Sequence, residues 1–320
     1  MVFYAGRQLT IHGEELAEQT GLARAFVGVI LLGLITSLPE LISTIGAAAL
    51  VKEPNLALGN IFGSNACNLA ILAFLEIITA TKNMAHTMDR DNLLTAFLSL
   101  IMISLASMAV VIRGHWHLGP LDVFSLAIGG CYIIGMSMLY RFQKLQISPD
   151  ERHLPPPPAE IKQHDLARLK KKIIKSAAII VLAALILSFT ADHIARATGW
   201  GSTFVGNFIL AIATSLPEMA VTYGAIRIGS FAMAAGNIFG SNIFNIAILV
   251  VADLFYFPGS LYHQAQNGQT MIAMVGILLA SIYLFSTFYG IKRRLLTIRM
   301  DSLIVIITYV CGMYMLFQLR

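Results

Sequence analysis

Charge is what this chain has least of. Lys, Arg, Asp and Glu together make up 12% of its 320 residues, about half the share of an ordinary soluble domain. Hydrophobic residues account for 57%, so too few polar groups remain to cover a core of that size, and a soluble globular fold is excluded. Cysteine is scarce as well. Cys67, Cys131 and Cys311 stand singly in apolar runs, without the spacing of a disulfide framework or a thiolate metal site. They read as small packing residues. No HExxH pair is present, which removes the zinc-hydrolase signature. The formal charge is +5, but the basic residues gather in and beside one segment, from Lys144 to Lys175. A nucleic-acid-binding face is therefore not expected. No cleavable leader pattern opens the chain, so its own apolar runs would direct insertion.

Those runs are long. Nine of them, at 25–50, 55–80, 92–112, 121–142, 173–195, 203–227, 232–257, 269–290 and 301–319, match the length a helix needs to cross about 30 Å of hydrocarbon. The expected fold is an all-α polytopic membrane protein. The stretch 143–172 is the long polar interruption. It carries Pro155 to Pro158, a polyproline-type spacer, followed by Arg168, Lys170, Lys171 and Lys172. It separates residues 1–142 from residues 173–320.

The two halves repeat each other. Thr36-Ser37-Leu38-Pro39-Glu40 returns as Thr214-Ser215-Leu216-Pro217-Glu218, and Gly59-Asn60-Ile61-Phe62-Gly63-Ser64-Asn65 returns letter for letter as Gly236 to Asn242. Asn68-Leu69-Ala70-Ile71-Leu72 answers Asn245-Ile246-Ala247-Ile248-Leu249. A period this long is a half-transporter rather than a solenoid unit. The run at 173–195 has only Phe3 to Ala17 as its counterpart, a polar piece that reads as the end of a truncated first span. With that span restored there are two five-helix repeats, ten spans when complete. An odd number of spans per half makes the repeats inverted. Arg24, Lys82, Arg90, the cluster from Arg141 to Lys175, Arg227 and the basic residues from Lys292 to Arg299 then fall on one side. Only Lys52, Arg113, Arg196 and Arg320 fall on the other, which places 143–172 in the cytoplasm.

Four spans hold polar residues near their centres: Ser37 and Ser215, then Ser64 with Asn68 and Ser241 with Asn245. Glu40 and Glu218 are the carboxylates that fall at this depth, where an uncompensated ionised acid costs several kcal/mol. Thr36 and Glu40 stand four apart, as do Ser64 and Asn68, so each pair shares a helix face. Pro39 has no N–H to give to the carbonyl of Ile35, and Pro217 none for that of Ala213. Gly33 and Ala211 lie one turn before Thr36 and Thr214, where distorted backbone turns carbonyl oxygens inward. The donor set is thus carboxylate, hydroxyl, amide and carbonyl oxygen, with no imidazole. Ca2+ takes six to eight oxygens at about 2.3–2.6 Å, whereas softer metals prefer nitrogen or sulfur. A lone Ser, Thr or Asn in a span usually bonds its own helix or a neighbour; duplicated Pro-Glu pairs at mid-membrane do not fit that explanation. Asn60, Asn65, Asn237 and Asn242 read as interhelical hydrogen-bonders, and Gly59, Gly63, Gly236 and Gly240 as faces for close helix approach.

The motif Gly33-x-x-Thr36-Ser37-x-Pro39-Glu40 with Gly59-Asn60-x-x-Gly63-Ser64-Asn65-x-x-Asn68, and its second copy from Ala211 to Asn245, resembles the alpha repeats of the calcium/cation antiporter superfamily. Within it the chain resembles the sodium/calcium exchanger branch in its compact prokaryotic form. The resemblance implies an antiporter rather than an enzyme, exchanging Ca2+ for Na+ by alternating access. It implies an integral protein of a prokaryotic cytoplasmic membrane, with no cofactor, the bilayer as its surroundings, and a site one monomer completes. The residues it implies as ion ligands are Gly33, Thr36, Ser37, Glu40, Ser64, Asn68, Ala211, Thr214, Ser215, Glu218, Ser241 and Asn245. Some prokaryotic members carry Asp where this chain has Asn245. The two remaining carboxylates are balanced by one Ca2+ or two Na+.

A Ca2+/H+ antiporter is the nearest alternative, since either Glu could titrate, and a cation channel the next. An intramembrane enzyme fits poorly: none of the eight histidines falls at a span centre, so the serines lack a base. Glu76 and Asp253 align near the ends of equivalent spans and read as vestibule acids or as ordinary interfacial residues. His115-Trp116-His117 resembles a metal pair, though a Trp at a span end is more often an interface anchor.

Overall fold

The computed structural model describes residues 2–79, 90–114, 116–118, 121–146, 163–198, 204–289, 294–295 and 298–319. Among them the chain forms α1 (Val2–Thr20), α2 (Arg24–Val51), α3 (Pro54–Ile78), α4 (Arg90–Ile112) and α5 (Val123–Gln146). After the central segment come α6 (Gln163–Thr198), α7 (Asn207–Thr214), α8 (Leu216–Arg227), α9 (Phe231–Phe255), α10 (Asn267–Tyr289) and α11 (Met300–Gln318). Seven of these helices are long and apolar enough to cross a membrane, and α7 with α8 form a further span broken by a bend of 46°. The apolar runs and the helices agree to within a few residues, with one exception. Helix α6 starts at Gln163 rather than near residue 173, so the basic run is helical. Leu169 and Ile173, one turn apart, are buried while Arg168, Lys170, Lys171 and Lys172 stay exposed, and an apolar seam of that spacing carries the helix onward. Pro155 to Pro158 lie outside the described residues.

The molecule is apolar outside and polar within. Ile133 and Ile134 of α5 are 66% and 63% exposed, and Phe285 and Phe288 of α10 are 64% and 63% exposed. Thr36, Glu40, Ser64, Asn68 and their repeat mates are fully buried. That distribution suits a surface in hydrocarbon and an interior that must satisfy its own polar groups. The two-fold relation extends to small details. A two-residue antiparallel pair, His117–Leu118 with Leu121–Asp122, joins α4 to α5, and Arg294–Leu295 with Ile298–Arg299 joins α10 to α11 at equivalent positions.

Helix α1 packs on α8 and α6. Its inward face is small: Gly6 approaches Ala220, and Thr10 fits against Gly224. Buried Thr10 donates to the carbonyl of Val221 at 3.0 Å. Sequence polarity alone marks this segment as the remnant of a span; in the fold it is a packed helix against the broken span of the second half.

The centre is built by exchange between halves. Helix α3 packs on α7, and α9 packs on the first part of α2. Two glycines permit it. A Cβ on Gly63 would stand 2.4 Å from the Asn207 carbonyl oxygen, and one on Gly240 would stand 2.5 Å from that of Val29. These are equivalent positions in the two repeats. The small-residue faces visible in the sequence are therefore contacts of backbone on backbone.

Candidate functional site

The site grows from two broken helices. The backbone is π-helical at Val27–Leu32 and again at Val205–Leu210, then α-helical for one turn up to Thr36 and Thr214. A π turn is rare and is frequently found at functional sites; a further one, at Gly46–Val51, ends α2. The break falls on Ser37 (φ −87°, ψ 5°) and on Ser215 (φ −82°, ψ 1°). Pro39 and Pro217 then sit in the first turn of the next segment, where a missing N–H is tolerated. The Ser37 N–H bonds the Gly33 carbonyl at 3.2 Å and the Ser215 N–H bonds that of Ala211 at 3.0 Å. Those two carbonyls, expected from the sequence as inward oxygens, already accept from their own chain. Gly33 also accepts from the Ser241 hydroxyl at 3.3 Å.

The side chains pair both across the halves and within one. Thr36 Oγ1 lies 3.1 Å from Ser241 Oγ, and Ser64 Oγ lies 3.2 Å from Thr214 Oγ1. Ser37 donates to Glu218 Oε1 at 3.3 Å, and Ser64 donates to Glu40 Oε1 at 3.5 Å. Among the described residues no Lys or Arg pairs with either carboxylate, and no three of His, Cys, Asp and Glu come together. Ten of the twelve residues named from the sequence are joined by these bonds and by that of Thr214 to the Ala211 carbonyl; Asn68 and Asn245 bond Asn242 and Asn65 instead.

Four asparagines outside that set hold it in place. Asn60 donates to Thr44 Oγ1 at 2.9 Å, and Asn237 donates to Thr222 Oγ1 at 3.0 Å. Asn65 donates to the Asn242 carbonyl and Asn242 to the Asn65 carbonyl, each at 3.2 Å. The sequence reading of these residues as interhelical bonders is correct. It misses their partners Thr44 and Thr222, although the repeated Thr44-x-Gly46-Ala47 and Thr222-x-Gly224-Ala225 carry the signal.

Oxygens remain unspent at the centre. Glu40 Oε2, Glu218 Oε2, Asn68 Oδ1, Asn245 Oδ1 and Ser215 Oγ are buried and have no protein partner. A buried acceptor without a donor costs about 1–3 kcal/mol, and an ionised one costs more. Four of the five form two pairs of repeat mates.

Glu76 and Asp253 do not belong to a vestibule. Glu76 is buried and accepts from Ser302 at 2.7 Å and Tyr283 at 3.0 Å. Asp253 is buried and accepts from Ser125 at 2.8 Å and from the N–H groups of Asp122 and Leu261, each at 2.9 Å. Both acids tie the central helices α3 and α9 to their neighbours. Beside Asp253, burial pushes the Tyr262 phenol well above its ordinary value, so it remains a neutral hydroxyl next to Ser125. Trp116 is 55% exposed and packs on Phe124, as an interface anchor would; His115 lies outside the described residues.

Comparison with known proteins gives one consistent picture. The model of the sodium/calcium exchanger protein family matches residues 1–141 and 173–318. The sodium/calcium exchanger MaX1 of Methanosarcina acetivorans is 24% identical over 331 residues, covering 95% of this chain and 92% of that protein. The inner membrane protein YrbG of Escherichia coli is 26% identical over 270 residues, covering 82% and 78%. Among solved structures, the sodium-calcium exchanger NCX_Mj soaked with Na+ and no Ca2+ superposes with a TM-score of 0.73 at 19% identity, covering 98% of this chain and 94% of that one. That likeness shows a common fold.

Proposed function

The chain belongs to the sodium/calcium exchanger protein family, a family of cation antiporters, and from that premise we propose that it exchanges Ca2+ for Na+ by alternating access at a midplane site built around Glu40 and Glu218. The observation that carries this reading is the set of buried oxygens without donors: Glu40 Oε2, Glu218 Oε2, Asn68 Oδ1 and Asn245 Oδ1. Two carboxylates match the charge of one Ca2+ or of two Na+. The amide oxygens, with Ser64, Ser241, Thr36, Thr214, Ser37 and Ser215, supply neutral oxygens toward the six to eight that Ca2+ takes. The Gly33 and Ala211 carbonyls, already accepting from Ser37 and Ser215, would join the set only if those helical bonds gave way on loading.

Competition becomes exchange through the cost of burying charge. With neither ion bound, two carboxylates would face each other in a low-dielectric interior, at several kcal/mol each. The loaded site is neutral and can pass from one face of the membrane to the other; the empty one cannot. In this reading the protein lies in a cytoplasmic membrane with residues 143–172 inside, residues 1–142 and 173–320 are the two repeats, and one monomer completes the site.

The test is uptake of radiolabelled Ca2+ into proteoliposomes loaded with Na+, with K+, under a pH gradient, or with no driving ion. Uptake that requires internal Na+ is expected. Uptake driven by the pH gradient alone would move the coupling to H+, and uptake indifferent to every counter-ion would make the protein a channel.

The peripheral acids give a contrasting expectation. Asp253→Asn leaves groups among Asp122, Ser125 and Leu261 poorly matched, which costs about 1–3 kcal/mol and lowers the melting temperature. The KM for Ca2+ stays unchanged at low and high ionic strength. Removing a vestibule acid would instead raise KM at low salt, where long-range attraction is least screened.

A further inference from the structure

The amides of Asn68 and Asn245 each have an oxygen and an NH2 group, and only the oxygen can face a cation. Which end faces inward is decided elsewhere. A backbone carbonyl only accepts, so the Asn242 carbonyl, 3.2 Å from Asn65 Nδ2, holds the NH2 of Asn65 toward itself. The oxygen of Asn65 must then point the other way, where Asn245 Nδ2 lies 3.1 Å from it. With its NH2 thus engaged, Asn245 keeps Oδ1 as its free end, buried and without a protein partner. The same chain of constraint runs in mirror order. The Asn65 carbonyl holds the NH2 of Asn242 at 3.2 Å, and Asn242 Oδ1 receives Asn68 Nδ2 at 3.0 Å. Asn68 Oδ1 is left buried and without a protein partner.

We propose that Asn65 and Asn242 are positioning residues for cation binding: each fixes the amide of the ligand on the opposite repeat, Asn65 aiming Asn245 and Asn242 aiming Asn68. The proposal rests on the exchanger reading of the site. It makes a statement that neighbourhood in sequence does not. Asn65 lies one turn from Asn68 on α3, yet acts on Asn245 of α9. Without the Asn65 oxygen, Asn245 is free to rotate and to present NH2, a donor, to a positive ion. Loss of a group that orients a metal ligand typically weakens metal binding about tenfold to a hundredfold.

The experiment is a pair of double-mutant cycles on Ca2+ KM, measured as Na+-driven uptake in proteoliposomes. Asn65→Ala is expected to raise KM about tenfold or more with the maximal rate per folded molecule largely kept. In an Asn245→Ala background it should add nothing, because the amide it aims is gone. In an Asn68→Ala background it should keep its whole effect. Additivity with Asn245→Ala, or coupling to Asn68→Ala on its own helix, would overturn the proposal. KM does not depend on how much protein folds, so a poorly expressed variant still reports. Should Asn65→Ala yield no folded protein, Asn65→Ser retains a hydroxyl for the Asn242 carbonyl and replaces it in both cycles. If Glu40→Gln abolishes exchange while the cycles are additive, the site reading stands and the positioning role fails. If Glu40→Gln exchanges normally, the site reading itself has failed.

Discussion

Glu40→Gln abolishes Na+-driven Ca2+ uptake, and Glu218→Gln does the same. Both side chains are fully buried, and each keeps one carboxylate oxygen without a protein partner. Gln matches Glu in size, so packing survives the change and charge does not. One carboxylate facing Ca2+ leaves a net positive charge inside the membrane. Breaking a buried charge pair from one side costs about 3–5 kcal/mol, or a loss of between about a hundredfold and several thousandfold in rate or affinity. The Gln NH2 also adds a donor where the cation needs an acceptor. Uptake per milligram of reconstituted protein reads the effect, with correct assembly checked by size-exclusion chromatography. A Glu40→Gln protein that transports at more than about a tenth of the wild-type rate is outside what this cost permits.

Gly240→Ala produces little folded protein, although it adds a single methyl group. Its Cβ would stand 2.5 Å from the Val29 carbonyl oxygen and 2.6 Å from Val29 Cα. No rotamer change relieves a clash with backbone, so α9 and α2 must separate where the site is assembled. Overpacking costs about 1–3 kcal/mol where side chains can yield, and more here. Gly63→Ala meets the Asn207 carbonyl at 2.4 Å and should behave alike. Gly130→Ala is the control: nothing lies within 4 Å of its Cβ, and Ala in a helix is favoured over Gly by roughly 0.5–1 kcal/mol. Melting temperatures in detergent should fall sharply for the first two and hold or rise slightly for the third. Equal behaviour of all three would contradict the close contact between halves.

The duplicated motifs carried most of this architecture in plain view. Thr36 to Glu40 and Thr214 to Glu218, at equal spacing in both halves, mark the break of each helix. Glycine spacing likewise marked the faces at Gly63 and Gly240. Partner choice was not legible. Glu76 and Asp253 occupy equivalent span ends, which suits a vestibule as well as a buried anchor. Only the arrival of Ser302 and Tyr283 at one, and of Ser125 and Leu261 at the other, separates the two. The crossing of Asn65 to Asn245 was hidden for the same reason: side-chain direction across a helix interface depends on rotation of both helices, and a residue string contains neither. The early start of α6 was missed because lysines look like loop when counted by charge, whereas Leu169 and Ile173 make them the outer face of a helix.

Ca2+ and Na+ sharing one site is the core of the account, and equilibrium binding tests it without transport. Radiolabelled Ca2+ is titrated onto the detergent-purified protein at increasing Na+. Competition at the Glu40–Glu218 site raises the apparent Kd steadily with Na+ while the number of bound Ca2+ per chain stays constant, and Glu218→Gln removes the binding. Ca2+ binding that is indifferent to Na+, or that survives Glu218→Gln unchanged, would contradict it.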